Sequence, residues 1–179
     1  MSVLNEDVVL KAETFAYAAH RAISHARKYD GGPYWKHPFA VASRVAEVAD
    51  ISAEAVAAAY LHDTVEDTGI TIADILFTFG PHVTEYVIAL TDPDRPDKNR
   101  ATRKAEDCIR LGLADAEVHT IKVADMLDNA ASIMKEDPKF AKQFMKEKEE
   151  LLSHLTKADP TLLSEAHRVI REYKDTKGE

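Results

Sequence analysis

A single cysteine, Cys108, is all that the 179-residue chain contains, which excludes an internal disulfide and a cysteine-based metal site. A reducing, cytoplasmic setting fits that scarcity, and any metal must sit on histidine or carboxylate side chains. Six glycines and seven prolines are too few for a collagen-like, linker-rich or low-complexity chain. No apolar run approaches the roughly 18 residues of a membrane span. The opening MSVLNEDVVLKAE carries acids where a signal peptide carries basic residues. Positive charge is also short: the net charge of −8 sets up a field that repels nucleic acid and acidic membrane surfaces. An anionic small molecule therefore needs a local basic pocket. Strand-like alternation and solenoid repeats are missing as well. What is present, 45% hydrophobic and 30% charged residues, suits one compact domain over 1–179 with a sizeable core.

Apolar spacing is helical almost throughout. Val8, Phe15, Ala19 and Ile23 share one stripe of a first helix that the pattern carries to about Lys28, with a turn-rich YDGGPYWKHP after it. A second helix starts with Pro38 in its first turn. Ser52 reads as the N-cap of AEAVAAAYLHDTVED, which closes before Gly69, and Thr71 with Asp74 reads as the cap of TIADILFTFG. Gly80-Pro81 separates that helix from HVTEYVIAL, and TDPDRPDKNR is the longest polar connection. Helices follow over 101–111, from Asp115 through AEVHTIKVADMLDNAASIM, from Asp137-Pro138, and from Asp159-Pro160, with DTKGE fraying at the end. The reading is all-α, with about eight or nine helices.

Four side chains form a candidate metal set: His37, the adjacent His62 and Asp63, and Asp125. Neighbours on a helix point about 100° apart, so His62 and Asp63 can share a metal only at a helix edge, with other helices completing the shell. Such a site belongs in the core of a bundle. Mixed imidazole and carboxylate donors favour Mn, Fe, Zn or related divalent ions, and four protein ligands leave positions open for water and substrate.

The order His, His-Asp, Asp resembles the signature of the HD metal-dependent phosphohydrolases. GGPYWKHPFAVA, AAYLHDTVEDTGIT, FG before an apolar helix, and KVADMLDN are similar to the hydrolase domain of RelA/SpoT proteins and to stand-alone small alarmone hydrolases of the metazoan SpoT-homologue type. The likeness covers about 15–133, leaving C-terminal helices over about 137–175. It implies an HD-domain helical bundle with a metal site in its core and hydrolysis of the 3′-pyrophosphate of (p)ppGpp, with Mn2+ bound. By the same resemblance His37, His62, Asp63 and Asp125 hold the metal, and Glu66 and Asp67 orient and deprotonate the attacking water. These two acids stand one helical turn beyond His62 and Asp63, and they oppose the macrodipole of a helix C-terminus, a small cost that function explains. Arg27, Lys28 and Asn129 are the substrate-binding residues it implies; Lys122, three residues before Asp125, is a further substrate-binding candidate by its spacing, as are Arg100, Arg103 and Lys104 after the polar loop.

The chain departs from the family at Asp128, where relatives carry His or Tyr, and at Ala131, where many carry Arg. One cation fewer near several phosphates leaves two other substrates in view on the same fold: NADPH, hydrolysed at its 2′-phosphate, and a deoxynucleotide. A non-catalytic alarmone-binding protein is the alternative from another class. His20 and His25 read as first-helix histidines at the surface or partly buried, His82, His119, His154 and His167 as structural, and Trp35 as packing beneath the turn. Partners reduce to a small nucleotide, with no nucleic acid and no membrane. QFMKEKEELL is either a solvated face or a surface for a homo-oligomer.

Overall fold

The structure, a computed structural model, describes residues 3–29 and 31–178. Among them are nine helices: α1 (Val3–Ala22), α2 (Lys36–Ala46), α3 (Ala53–Leu61), α4 (Thr64–Asp67), α5 (Ile72–Leu90), α6 (Arg100–Gly112), α7 (Ala116–Glu136), α8 (Pro138–His154) and α9 (Pro160–Lys177). No strand occurs among the described residues, and Ala26 and Pro33 form one isolated antiparallel bridge. No helix among them is long and apolar enough to cross a membrane. The chain divides into two compact units, Met1–Pro93 and Asp94–Glu179.

In the first unit α3 is the central element, with α1, α2 and α5 packed against it. Its alanines explain the arrangement: Ala55, Ala57, Ala58 and Ala59 are fully buried, and a helix clad in methyl groups lets its neighbours approach closely from several sides. Ala12 and Ala16 of α1, Val41 and Val45 of α2, and Ile75 and Val87 of α5 complete this core. The expected caps are present. Ser52 Oγ accepts from the Ala55 N–H at 3.0 Å, and Thr71 and Asp74 form a reciprocal capping box. At Gly80, with φ 78°, α5 kinks where the sequence places a break, because the left-handed backbone there suits glycine and Pro81 restarts the helix.

Two helix ends differ from the sequence reading. α1 stops at Ala22, not near Lys28. Ser24 takes the left-handed conformation at φ 51°, the His25 N–H bonds the His20 carbonyl at 3.1 Å, and the Ser24 N–H bonds the Arg21 carbonyl at 3.0 Å. This is a Schellman closure built without glycine, so no breaker residue announces it. His25, Arg27 and Lys28 therefore lie on a loop, pinned by Arg27 N–H to Gly32 O at 2.8 Å and Tyr34 N–H to His25 O at 2.9 Å. The helix expected over 53–67 is also interrupted. α3 ends at Leu61, Asp63 sits at φ −99° and ψ −2°, and the one-turn α4 follows. Asp, Thr and Val resist such a break weakly, being modest helix formers, and tertiary contacts to Asp63 decide it.

In the second unit the core element is α7, from which Val118, Ile121, Val123, Ala124, Met126 and Ile133 are all buried. α6, α8 and α9 pack on it. Asn99, Asp137 and Asp159 cap α6, α8 and α9 by accepting from backbone N–H groups at 2.9–3.1 Å. The expected fraying of DTKGE falls partly on Glu179, outside the described residues. The rest does not fray: α9 continues through Lys177 and closes on Gly178 at φ 68°.

His119, on α7, has the structural role expected of it. Its Nε2–H donates to the Leu111 carbonyl at 2.8 Å and its Nδ1 accepts from the Lys157 N–H at 3.2 Å, so one neutral tautomer ties α7 to the ends of two neighbouring segments. Burial holds its pKa below the ordinary histidine value, since the fold favours the neutral ring. Its stabilising contribution is then complete above the unfolded value of about 6.5 and is lost as pH falls below it. Thermal unfolding followed by circular dichroism is expected to give a midpoint that drops more between pH 7.5 and 5.5 for the native protein than for His119→Gln. Equal drops would refute the assignment.

Candidate metal and catalytic centre

The first unit builds a polar cluster from the start of α2, the end of α3 and the α3–α4 break. His37 enters in the first turn of α2, and His62 is the residue that caps α3; both are buried, at 2% and 1% exposure. Asp63 follows directly. Its Oδ2 lies 3.1 Å from His62 Nε2 and 3.4 Å from His37 Nε2, while the hydroxyl of Tyr34 donates to the same oxygen at 2.6 Å. Because the chain leaves regular helix at this point, the 100° divergence expected of adjacent helical residues does not keep His62 and Asp63 apart.

The donor set fits a cation. His62 Nδ1 lies 2.8 Å from the Ala59 carbonyl, which can only accept, so Nδ1 carries the proton. In the neutral ring Nε2 then presents a lone pair toward a carboxylate oxygen, a repulsive pairing unless a positive charge stands between them. Two buried imidazoles thus converge on the Asp63 carboxylate within the first unit. Burial alone would raise the Asp63 carboxyl, but His62 and His37 hold it well below the usual carboxylate range.

Glu66 and Asp67 both stand on α4 and are exposed. Glu66 is nonetheless oriented: its Oε1 accepts from the backbone N–H of Asp92, beyond the end of α5, at 2.6 Å. The Asp67 carboxyl is raised, first by lost solvation and then by the Asp63 charge, with the Tyr34 hydroxyl, His25 and His62 pulling the other way. A carboxylate raised toward neutrality is a better proton acceptor at physiological pH than an ordinary one.

Around this cluster the 23–35 loop contributes more than the sequence reading gave it. His20 is 1% exposed, deeper than a surface or partly buried histidine, and burial pushes its pKa down to about 4. Its Nδ1 lies 3.2 Å from His25 Nδ1, and the His25 ring stacks on Tyr34 with centroids 3.8 Å apart and planes 12° from parallel. Tyr34 was not among the residues expected at the site; its position three before His37 was the available signal. The loop also carries Arg27, half-buried, and Lys28, whose Nζ sits 4.9 Å from the centre of the Tyr29 ring. Trp35 packs as expected, edge-on to Tyr17 and Phe39 at 5.3 and 5.2 Å.

The second unit holds Asp125, buried on α7. Asn129 donates to its Oδ1 at 2.6 Å and Lys122 Nζ lies 2.9 Å from its Oδ2, so one helix face delivers a carboxylate with both oxygens engaged. Asp128 is half-buried and Ala131 exposed on the same helix. The three further cations are engaged within this unit. Arg100 forks onto Glu147 at 2.7 Å, Arg103 donates to the Lys98 carbonyl, and Lys104 reaches Asp107.

A family model described as HD domain matches residues 12–161. The chain is similar to the GTP pyrophosphokinase rsh of Brucella melitensis, being 34% identical over 140 residues that make up 75% of this chain and 18% of that protein. It is likewise similar to the guanosine-3′,5′-bis(diphosphate) 3′-pyrophosphohydrolase MESH1 of Danio rerio, 34% identical over 134 residues, or 72% of this chain and 71% of that one. The chain thus spans less than a fifth of the long relative and most of the short one. Among solved structures it resembles a metazoan ortholog of SpoT described as hydrolysing ppGpp, with a TM-score of 0.81 and 24% identity over 92% of this chain and 94% of the other, a likeness of fold. A second is lmo0812 of Listeria monocytogenes EGD-e, at a TM-score of 0.63 and 26% identity, covering 77% of this chain and 99% of that one.

Proposed function

We propose, from the premise that the chain belongs to the HD domain family and groups with its small alarmone hydrolases, that it removes the 3′-pyrophosphate of (p)ppGpp. The products are GDP or GTP and pyrophosphate. One observation carries this reading beyond the likeness to MESH1: the His37, His62 and Asp63 cluster lies beside α4, whose Glu66 carboxylate is anchored by a backbone N–H.

His37, His62 and Asp63 would hold the metal, with Asp125 as the fourth ligand. Support for Asp125 comes from the span matched by the family model, 12–161, which includes all four residues, and from its buried, oriented carboxylate. Mn2+ is the ion proposed for this mixed nitrogen and oxygen set. Such an ion, when bound, supplies charge that acidifies water and offsets phosphate charge. Glu66 and Asp67 orient the attacking water and take its proton as its oxygen bonds to phosphorus. The bond from that phosphorus to the ribose 3′ oxygen breaks, the oxygen leaves with a proton, and pyrophosphate departs. Arg27 and Lys28 meet phosphate oxygens, Arg27 through its planar fork and Lys28 as a point charge. Lys122 and Asn129 would face the substrate from α7 while steadying Asp125. A cytoplasmic setting suits the lone Cys108, which is buried and free.

The test is turnover of ppGpp by purified protein loaded with Mn2+, alongside NADPH and a deoxynucleotide panel, with products separated by anion exchange. GDP and pyrophosphate are expected. Inert ppGpp beside phosphate release from another nucleotide would overturn the substrate and keep the hydrolytic chemistry.

A further inference from the structure

The Asp63 carboxylate lies within 3.4 Å of both imidazoles of the cluster, and its orientation is not fixed by its own helix alone. The terminal torsion of aspartate is broad and roughly two-fold, so an unassisted carboxylate exchanges its oxygens and swings off line. Asp63 is assisted from a distant part of the sequence. The Tyr34 hydroxyl, 29 residues earlier, donates to Oδ2 at 2.6 Å, within the range of a short charge-assisted bond.

Tyr34 is half-buried and is itself held by backbone and ring contacts. Its backbone N–H donates to the His25 carbonyl at 2.9 Å, and its carbonyl accepts from the N–H of His37, also at 2.9 Å. Its ring lies flat on His25 at 3.8 Å, stands edge-on to His37 at 5.7 Å, and passes 5.0 Å from buried His20. His25 in turn is fixed by the contact of its Nδ1 with His20 Nδ1 at 3.2 Å. The hydroxyl is therefore delivered to Asp63 by a ring packed against three histidines.

We propose that Tyr34 is a positioning residue for Asp63, and that the His25 ring, braced by His20, holds Tyr34 in place, so that the 23–35 loop sets how tightly the cluster grips a divalent cation. The inference rests on the reading of Asp63 as a metal ligand. Partners that orient a metal-binding side chain are commonly worth 10–100-fold in affinity, the loss expected for Tyr34→Phe. Because the tyrosine acts on the cation through Asp63, its loss moves the cation requirement; its hydroxyl also bears on Asp67, so metal affinity is the readout that isolates the Asp63 role.

The experiment titrates metal-free protein with Mn2+, reading free Mn2+ by electron paramagnetic resonance, and records phosphate or pyrophosphate release against Mn2+ concentration. Tyr34→Phe should bind Mn2+ about 10–100-fold more weakly and shift the activation curve to higher Mn2+ by the same factor. Tyr17→Phe, which removes a hydroxyl that accepts from Arg21 at 2.8 Å, should leave the affinity unchanged. His25→Leu keeps the Tyr34 hydroxyl and removes its support, so it should weaken binding by a smaller factor; it also stands in should Tyr34→Phe lose its native circular dichroism. Native Mn2+ affinity in both Tyr34→Phe and His25→Leu overturns the proposal while the site stands. Native protein that takes up no Mn2+ overturns the reading of the site, and the proposal with it.

Discussion

Asp63→Ala is expected to abolish metal uptake and turnover together. Asp63 is the shared neighbour of His37, His62 and Tyr34, and it supplies the negative charge of the cluster. Without it two neutral imidazoles face one another, and a divalent ion loses both a ligand and the charge that offsets its dehydration. If partners that only orient a ligand are worth 10–100-fold, loss of the ligand itself should exceed about 100-fold in affinity and take activity below detection. Fold stability should change little, because the α3 core of fully buried alanines and Leu61 is untouched. Metal content by mass spectrometry, circular dichroism and ppGpp turnover on one preparation check all three. Full metal occupancy in Asp63→Ala would remove Asp63 from the ligand set.

Glu66→Gln is expected to separate the two properties, keeping the metal and stopping turnover. The Glu66 side chain is positioned by the Asp92 N–H, and the amide oxygen of glutamine can accept that same bond. Geometry is then preserved, and the capacity to take a proton is what disappears. Positioned proton transfer contributes about 10²–10⁴-fold, so kcat should fall by that factor at unchanged metal stoichiometry. An empty metal site in this variant would make Glu66 a ligand. A native rate would transfer the proton-accepting role to Asp67, whose raised carboxyl is suited to it.

The two variants fail in different places because the cluster and α4 are built by different parts of the chain. The cluster draws on the first turn of α2 and the end of α3, whereas Glu66 is oriented from beyond the end of α5. On the proposed roles, loss of Asp63 would remove the cation, and loss of the Glu66 carboxylate would leave it in place without a proton acceptor.

Much of this was legible in the residues, for reasons that stay local. The caps at Ser52, Thr71, Asp137 and Asp159 each act over two or three residues, so side-chain type and spacing suffice to place a helix start. The kink at Gly80 is local for the same reason. His37, His62 and Asp63 were readable because the HDTVED string and the histidine before Pro38 are specific to one family.

The parts that were not legible depend on contacts between distant residues. α1 closes through backbone bonds around a left-handed serine, a conformation that apolar periodicity does not report, and so Arg27, Lys28 and His25 were placed on a helix instead of a loop. The break at His62 and Asp63 costs little locally and is settled by Tyr34 and His37 reaching Asp63. His20 reads as a polar residue near a helix end, yet it is buried against His25 and Tyr34 because the loop folds back over it.

By itself, then, the sequence determined the helical class, most cap positions, the family and the candidate metal-ligating and proton-accepting side chains, since these follow from residue type at short spacing. Only the tertiary structure decided that Asp63 leaves the helix to stand between two imidazoles, that Glu66 is steadied by the backbone of Asp92, and that a tyrosine 29 residues earlier orients the carboxylate. Hydrogen bonds across such separations form only once packing has brought their elements together, and no local pattern encodes them.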